Sequence, residues 1–434
     1  MSIARRLGLD PLVVRQRNFY AAGQDVTPYG QTVEDNILRP LTDQLIASSD
    51  YHRRRTEIAA FNAASPVLKK GLALTPVKFG ISFNVVHLNQ AGALVHVYTD
   101  GSVLVNHGGT EMGQGLNTKV AQVVAHELGL PLAQVRATAT DTQKVANTSA
   151  TAASTGSDLN GKAAQDAARK IKRRLATLAA ELLGGMADDV VFAVVSGGGL
   201  VQSGGLTIGF NELVAKAYLQ RVQLWSDGFY TTPGLHWDRT RLQGKPFYYF
   251  AYGAAVAEVL IDTLTGESRC TRADVLHDVG QSLNPALDIG QVEGAFVQGM
   301  GWLTNEELVW QDAAPTSPDT ATAPRGDAGH LGRPGVGPDA GKLLTHAPST
   351  YKIPTANDSP PDFRVALFDQ PNLADSIHRS KAVGEPPLLL PFAVLLAIKD
   401  AVAATGPLGC DPQLRAPATA EAVLLAVDEL REGH

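Results

Sequence analysis

The stretch ALVHVYTDGSVLVNHGGTEMGQGLNTKVAQVVAHEL, which runs from Ala93 to Leu128, carries the signals of three successive elements. Apolar residues alternate with others on both sides of Asp100-Gly101, a dipeptide that favours a tight hairpin turn. The glycine-rich loop GGTEMGQG follows, and valines then recur at helical spacing until Gly129. The stretch therefore predicts a β-hairpin, a loop and a helix in direct succession.

A second stretch repeats this order further along the chain. Residues 248–280 have the pattern of a strand, a turn and a strand, and residues 288–308 have the pattern of a helix. Two such hairpin-loop-helix units predict an α+β fold with several subdomains. We expect a helical arm or linker over residues 1–70, a first subdomain over 71–205 and a second subdomain over 206–434.

Other segments complete the expectations for the fold. Residues 41–62 have the pattern of one amphipathic helix, and residues 162–183 that of a long helix with an alanine-rich face. Residues 311–342 are rich in proline, glycine and alanine, which is typical of a flexible surface insertion. The apolar run that begins near Pro387 predicts a buried helix.

Composition and charge argue against several classes of protein. The chain has 434 residues, is 44% hydrophobic and 18% charged, and has the size of roughly two or three globular units. A formal net charge of -6 argues against nucleic acid as the main partner. Cys270 and Cys410 form neither a disulfide framework nor a CxxC motif, and the longest apolar run is too short to span a membrane. These features favour a soluble protein of the cytoplasm.

Polar residues at the predicted loop-to-helix junctions are the candidate binding groups. Gln114, residues 151–157 and Gln291 all lie at such junctions. Backbone N–H groups at helix N-termini carry a partial positive charge and bind anions such as phosphate. A glycine-rich loop is equally consistent with a tight turn, and the sequence has neither a dinucleotide-binding GxGxxG nor a P-loop in its usual setting. The functional interpretation is that several junctions converge on one polar ligand.

Glu385 is the candidate catalytic residue. In the string SKAVGEPP it lies between Gly384 and two prolines, and an apolar run follows directly. We expect Pro386 to hold Glu385 away from helical angles and the carboxylate to enter an apolar pocket. A catalytic base and a first-turn acid that stabilises the following helix are both consistent with this setting.

Several strings of the sequence together resemble one enzyme family. The strings FGISF, HGGTEMGQGLNTK, TAAS, GQVEGAFVQG, PSTYKIP and SKAVGEPP occur in one order over most of the chain. They are similar to the C-terminal part of the molybdenum-binding region in the xanthine dehydrogenase/aldehyde oxidase family of molybdenum hydroxylases. The resemblance implies a multi-subdomain molybdopterin-binding fold. It also implies hydroxylation of hypoxanthine or xanthine toward urate, with the molybdenum held through molybdopterin and not directly by the chain.

The resemblance implies roles for individual residues. Glu385 would be the catalytic base. The substrate-binding residues would be Phe83, Asn84 and Ala153. The cofactor-binding residues would be Met112, Gly113, Gln114, Ala153, Ser154, Ser157, Gln291 and Gly384.

The sequence also departs from the family pattern. Asn84 stands where threonine is usual in the xanthine-specific members. The strings that would bring an arginine, a phenylalanine and a second substrate glutamate to the pocket are absent, as are cysteine clusters for iron–sulfur centres and a flavin domain. The resemblance therefore implies partners: a 2Fe-2S and FAD domain or subunit, the N-terminal part of the molybdenum domain, and a homodimer of the heteromeric complex. Nucleic acid and membrane partners are not expected. The alternative is a truncated remnant or assembly module that binds no metal by itself.

Overall fold

The computed structural model describes residues 1–21, 23–311 and 341–432. The helices are α1 Ser2–Arg6, α2 Pro11–Arg17, α3 Leu38–Ser48, α4 Tyr51–Ala64, α5 Leu116–Leu128, α6 Gly156–Leu183, α7 Phe210–Leu219, α8 Pro285–Thr304, α9 Phe392–Ala403 and α10 Ala420–Glu432. The strands are β1 Leu68–Ile81, β2 Gln90–Val97, β3 Val103–His107, β4 Val135–Ala137, β5 Val191–Val195, β6 Gly198–Ser203, β7 Leu206–Gly209, β8 Trp225–Thr231, β9 His236–Asp238, β10 Gln243–Lys245, β11 Tyr249–Asp262, β12 Ser268–Asp278 and β13 Asp362–Phe368. Apart from its ends, the predicted insertion at 311–342 lies outside the described residues.

One four-stranded sheet has the order β1-β11-β12-β13. Its strands β1 and β11 are antiparallel and pair without a break from Leu68 opposite Asp262 to Ile81 opposite Tyr249, whereas β13 runs parallel to β12. Apolar residues of α3 and α4 pack on one face of this sheet. Residues of α8, α9 and α10 pack on the other face, so the sheet is covered on both sides.

A second four-stranded sheet has the order β4-β3-β2-β8 and packs against α5, α6 and α7. The predicted hairpin is confirmed as β2 and β3, and its turn contains Gly101 at a φ of +87°. The predicted helix that follows is confirmed as α5, which ends at Gly129 in the left-handed conformation. The mixture of helices and strands confirms the α+β prediction.

Glycine permits a very close approach of helix to strand in both sheets. A Cβ atom at Gly71 of β1 would lie 1.9 Å from the carbonyl oxygen of Ala397 in α9. A Cβ atom at Gly228 of β8 would lie 1.9 Å from the carbonyl oxygen of Ala163 in α6. Because no side chain fits at these crossings, α6 and α9 pack directly against the backbone of their sheets. This close packing fixes the position of α6, whose N-terminus lines the cavity described below.

Two local predictions are wrong. The single helix expected over residues 41–62 is divided into α3 and α4, because Asp50 adopts a left-handed conformation with φ of 54°. Glu385 has helical backbone angles, with φ of −87° and ψ of −40°. The reason is a 3-10 turn over Pro386–Leu389, in which the N–H of Leu388 donates to the carbonyl of Glu385 at 3.1 Å. This turn outweighs the steric preference imposed by the following proline.

The predicted division into subdomains at residues 205 and 206 stays a prediction, and strand pairing crosses it. Strand β8 belongs to the sheet of β2 and β3, while β1 pairs with β11. The expectation that the longest apolar run is too short to span a membrane is wrong by length and composition, because within the described part of the chain the run extends to an apolar segment over residues 386–403. More than half of this segment is buried, and α9 within it supplies core residues to the first sheet.

Candidate active site

A cavity of about 390 Å³ lies where the N-termini of α5, α6 and α8 meet the segment Ser380–Glu385. Most of the predicted cofactor-binding residues line it together with Glu385. These lining residues are Met112, Gly113, Gln114, Ser154, Ser157, Gln291 and Gly384. The structure therefore brings together residues that lie more than two hundred positions apart in the sequence, as the convergence of loop-to-helix junctions predicts.

The glycine-rich loop before α5 is organised by Glu111. Its carboxylate accepts hydrogen bonds from the backbone N–H groups of Gly113, Gly115 and Asn117, at 2.9 to 3.0 Å. Burial raises the pKa of this carboxyl, but the N–H groups outweigh burial, and the pKa lies below its usual value. Glu111 thus occupies the positive N-terminus of α5 itself.

Gln114 closes the same loop from the other side. Its amide nitrogen donates to the carbonyl of Thr110 at 2.8 Å, and its amide oxygen accepts from the N–H of Met112 at 2.5 Å. The side chain of Met112 is exposed at the rim of the cavity. The amide of Gln114 therefore has partners within its own loop, and it lines the cavity from a fixed position.

The junction before α6 contributes the start of that helix to the lining of the cavity. Ala153 and Ser154 are both in the left-handed conformation, with φ of 53° and 54°, which is strained for residues other than glycine. The N-cap residue Thr155 makes no side-chain hydrogen bond to the first turn. Gly156 and Ser157 of that turn line the cavity, so the positive end of a 28-residue helix is directed at it.

Hydrogen bonds and an ion pair hold successive residues of the segment Ser380–Glu385 in place. The carbonyl of Ser380 accepts from the side chains of Asn372 and Ser376, at 3.0 and 2.6 Å. The ammonium of Lys381 lies 2.7 Å from the carboxylate of Asp278, and both side chains are almost wholly buried. These contacts hold the segment against the first sheet just before Glu385.

Glu385 lies at the rim of the cavity and is hydrogen-bonded to Ser154. The backbone N–H of Glu385 donates to the Ser154 hydroxyl at 2.8 Å, and that hydroxyl donates to Oε2 of Glu385 at 3.1 Å. The side chain is exposed, so the expectation that it enters an apolar pocket is wrong. The reason is the polar surroundings of the rim, where Ser154 holds both the backbone and the carboxylate of Glu385.

A buried ion pair joins the helices on opposite sides of the cavity. Lys119 of α5 lies 2.5 Å from Oδ1 of Asp288 in α8, and Ser282 donates to Oδ2 of Asp288 at 2.6 Å. Both charged side chains are buried and line the cavity. The pair fixes the N-termini of α5 and α8 relative to each other.

Some predicted residues lie outside the cavity formed by the described residues. Phe83 and Asn84 follow β1 in a loop, and Ala153 is next to the lining residue Ser154 without lining the cavity itself. Among the described residues, we find no group of three or more His, Cys, Asp or Glu side chains that could hold a metal ion.

Sequence reasoning missed several site residues, namely Glu111, Lys119, Asp158, Tyr249, Asp288 and Lys381. Three of them had a signal: Glu111 and Lys119 lie inside HGGTEMGQGLNTK, and Lys381 lies inside SKAVGEPP.

Comparisons with known proteins identify the class of protein that this fold and cavity belong to. A family model described as the molybdopterin cofactor-binding domain matches residues 44–360. The match spans more than half of the chain, and the chain belongs to the molybdopterin cofactor-binding domain family. The resemblance to molybdenum hydroxylases carried by the sequence strings is thereby confirmed.

The curated proteins that the chain matches include xanthine dehydrogenases. The chain is 43% identical over 406 residues to xanthine dehydrogenase from Dictyostelium discoideum, covering 93% of this chain and 26% of that protein. It is 43% identical over 428 residues to xanthine dehydrogenase/oxidase from Felis catus, covering 97% of this chain and 28% of that protein. The chain thus spans about a quarter of the length of these curated relatives.

A solved structure supports the fold. The crystal structure of quinoline 2-oxidoreductase from Pseudomonas putida 86 matches with a TM-score of 0.79 at 24% sequence identity. The match covers 98% of this chain and 50% of that chain. The α+β fold of a molybdenum-binding region is therefore confirmed.

Proposed function

We propose that the chain forms part of a molybdenum-dependent hydroxylase that converts hypoxanthine or xanthine toward urate, with Glu385 as the catalytic base. The observation that carries the proposal is the position of Glu385, whose carboxylate is held by Ser154 at the rim of the cavity. The identity of the curated relatives as xanthine dehydrogenases supports the purine substrate. We expect the enzyme to act in the cytoplasm.

The cavity fits a phosphate-bearing cofactor such as molybdopterin. The first turn of α6 offers N–H groups that its N-cap side chain does not satisfy, and such a turn is a favourable site for phosphate. The hydroxyls of Ser154 and Ser157 and the amides of Gln114 and Gln291 line the same space. We propose that these residues, with Met112, Gly113 and Gly384 at the rim, hold the cofactor.

Bound molybdenum–molybdopterin would supply the oxidation of the purine carbon, which protein side chains cannot perform. Glu385 would take the proton from the attacking oxygen nucleophile. Ser154 would aim the carboxylate, since its hydroxyl contacts both the backbone and the side chain of that residue. The loop residues Phe83, Asn84 and Ala153 remain our candidates for substrate contact.

The remaining parts of the enzyme are proposed to come from other segments or chains. The curated relatives are about four times as long as the region matched here. We propose that an N-terminal part of the molybdenum domain completes the pocket, that 2Fe-2S and FAD centres on partner domains or subunits carry the electrons away, and that the complex is a homodimer.

Metal analysis of a reconstituted complex tests the proposal. The chain is co-expressed with the N-terminal part of the molybdenum domain, and molybdenum per chain and urate formation are measured on one preparation. We expect stoichiometric molybdenum with urate formation, and no xanthine-dependent turnover by the isolated chain. A stable complex without molybdenum would favour the alternative of a non-catalytic remnant or assembly module.

A further inference from the structure

A buried hydrogen-bond relay lies beneath the cavity. The hydroxyl of Tyr249, at the start of β11, donates to Oδ2 of Asp158 at 2.5 Å. The same hydroxyl accepts the backbone N–H of Ala382 at 2.9 Å. Asp158 lies in the first turn of α6, and Ala382 lies three residues before Glu385, so the relay links the two sides of the cavity.

Asp158 is an unusual group to find at this position. Its side chain is about nine-tenths buried and lines the cavity. Burial raises the pKa of Asp158 to about 6. The hydrogen bond from Tyr249, the backbone of Ile377 and the charge of Lys162 all act in the opposite direction without cancelling the effect of burial.

Several ionisable groups surround Asp158. Those that interact with it are Lys162 one turn along α6, Tyr249 of β11, Tyr248 directly before that strand, and Tyr230 of β8. Four further charged side chains line the same cavity, namely Lys119, Asp288, Lys381 and Glu385. Lys162 is itself paired with Asp375 at 2.8 Å. Asp158 is therefore the carboxyl group of this set that can change charge near neutral pH.

We propose that Asp158 and Tyr249 are positioning residues for Glu385, and that the ionised form of Asp158 holds the 380–385 segment more firmly than the protonated form. The proposal rests on the proposed function of Glu385 for its catalytic consequence. A hydrogen bond to an ionised carboxylate is roughly twice as strong as one between neutral groups. Because linked hydrogen bonds polarise one another, the Tyr249 oxygen becomes a better acceptor for Ala382 when Asp158 is charged.

Amide hydrogen exchange in the complete, molybdenum-loaded enzyme tests the relay directly. In the wild type, after correction for the intrinsic rate, we expect the Ala382 amide to exchange about five- to tenfold faster near pH 5 than near pH 7.5. Asp158→Asn should remove this pH dependence, and Tyr249→Phe should give fast exchange at both pH values. Tyr252→Phe is the matched control, because the Tyr252 hydroxyl is buried in the same strand with no partner in the described residues.

Two results of this experiment would overturn the proposal. The first is a wild-type exchange rate with no pH dependence beyond the intrinsic one. This measurement uses the wild type alone, so it tests the proposal even if a variant enzyme does not fold. The second is a Tyr249→Phe enzyme that behaves like Tyr252→Phe. These outcomes are independent of the role of Glu385, since a Glu385→Gln enzyme with full turnover would end the proposed function and leave the exchange data unchanged.

Stability separates a positioning role from a merely structural one. Burial favours the protonated form of Asp158, whereas the hydrogen bond from Tyr249 favours the ionised form, so overall stability and the relay respond to pH in opposite directions. Because burial outweighs the hydrogen bond and the folded pKa is raised, the contribution of Asp158 to overall stability is fully present below the unfolded pKa and is lost as pH rises through about 6. Asp158→Asn does not ionise, so its unfolding temperature relative to the wild type should be higher at about pH 7 than at about pH 4, while kcat falls. An equal loss of stability at both pH values, with kcat unchanged, would contradict the proposal.

Discussion

The side of the cavity built by α5 and α6 differs from the side built by α8 and the segment Ser380–Glu385. We call them the first wall, residues 112–119 and 151–158, and the second wall, residues 283–291 and 380–385. The first wall presents backbone N–H groups and small polar side chains next to strained left-handed residues. The second wall is fixed from behind by buried side-chain contacts, above all Lys381 with Asp278.

This difference indicates that the two walls have different functions. A wall of backbone N–H groups suits an anionic ligand of fixed shape, because such donors need no side-chain ordering. A wall fixed by buried charges suits a group that must point in one direction, because a base is effective only within hydrogen-bonding reach of its proton. We therefore expect a change at a first-wall residue that contacts only the cavity, such as Ser157, to affect cofactor content. A change at Glu385, or at Ser154 and Asp158, which act on the Glu385 segment, should affect turnover.

The largest effect is expected for Lys381→Met in the second wall. This change leaves the fully buried carboxylate of Asp278 without its cation, which typically destabilises a protein by about 3 to 5 kcal/mol. Lys162→Met is the matched control, since its partner Asp375 is exposed and such a pair contributes about 0 to 1 kcal/mol. Chemical denaturation of both variants measures the difference. Equal losses would show that buried charge does not distinguish the second wall.

Glu385→Gln is expected to have the next largest effect. The amide keeps the size and polarity of the side chain but cannot accept the proton, so turnover should fall by at least roughly 100-fold, as is typical for a positioned base. Molybdenum per chain should stay nearly unchanged, because Glu385 belongs to the second wall. Both quantities are measured on one preparation of the reconstituted complex.

The contrary outcome for Glu385 is equally specific. A variant with its metal and near-normal turnover would end the catalytic assignment and favour an acid that stabilises the following helix. In that case the change should cost about 0.3 to 1 kcal/mol of stability, as expected for an interaction with a helix N-terminus. The melting temperature, measured alongside turnover, separates the two roles.

Local signals in the sequence predicted the elements better than they predicted the site. The Asp100-Gly101 turn and the Gly129 helix end were correctly predicted because each depends on its own backbone angles. By contrast, α6 begins at Gly156 and not at Lys162, because two residues before it adopt left-handed angles that the string TAAS does not reveal.

Long-range partners could not be predicted from the sequence. Lys381 and Asp278 are 103 positions apart, and Tyr249 and Asp158 are 91 positions apart. No periodic pattern links such residues, since their contact depends on how elements that are distant in the sequence pack together. The roles of the predicted site residues therefore remain proposals, although the structure brings most of them to one cavity.

Ser154→Ala tests the contact between the walls and should have a smaller effect. The change removes both hydrogen bonds to Glu385, so we expect turnover per bound molybdenum to fall by about tenfold. Ser157→Ala is the matched control, because Ser157 lines the first wall and is not among the hydrogen-bond partners found for Glu385 in the described residues. That variant should lose molybdenum content and keep its turnover per metal. If Ser154→Ala instead lost molybdenum and Ser157→Ala instead lost turnover per metal, the proposed difference in function between the walls would be refuted.

The smallest effect is expected at Asn84, which lies in neither wall. Asn84 is exposed in the loop after β1, and the backbone of the preceding Phe83 is fixed by two 2.8 Å hydrogen bonds with Asn89, so a substitution should leave the loop in place. The amide of Asn84 offers two donors and an acceptor, whereas threonine offers one hydroxyl. We expect Asn84→Thr to change the ratio of kcat/KM for xanthine to that for hypoxanthine by about two- to tenfold, the size of one neutral hydrogen bond, with molybdenum content intact.

His87→Ala, at another exposed position of this loop, is the control and should leave the ratio unchanged. Identical ratios for Asn84→Thr and the wild type would show that substrate choice depends on other residues, whereas a changed ratio would add this loop to the cavity as a third wall that contacts the purine.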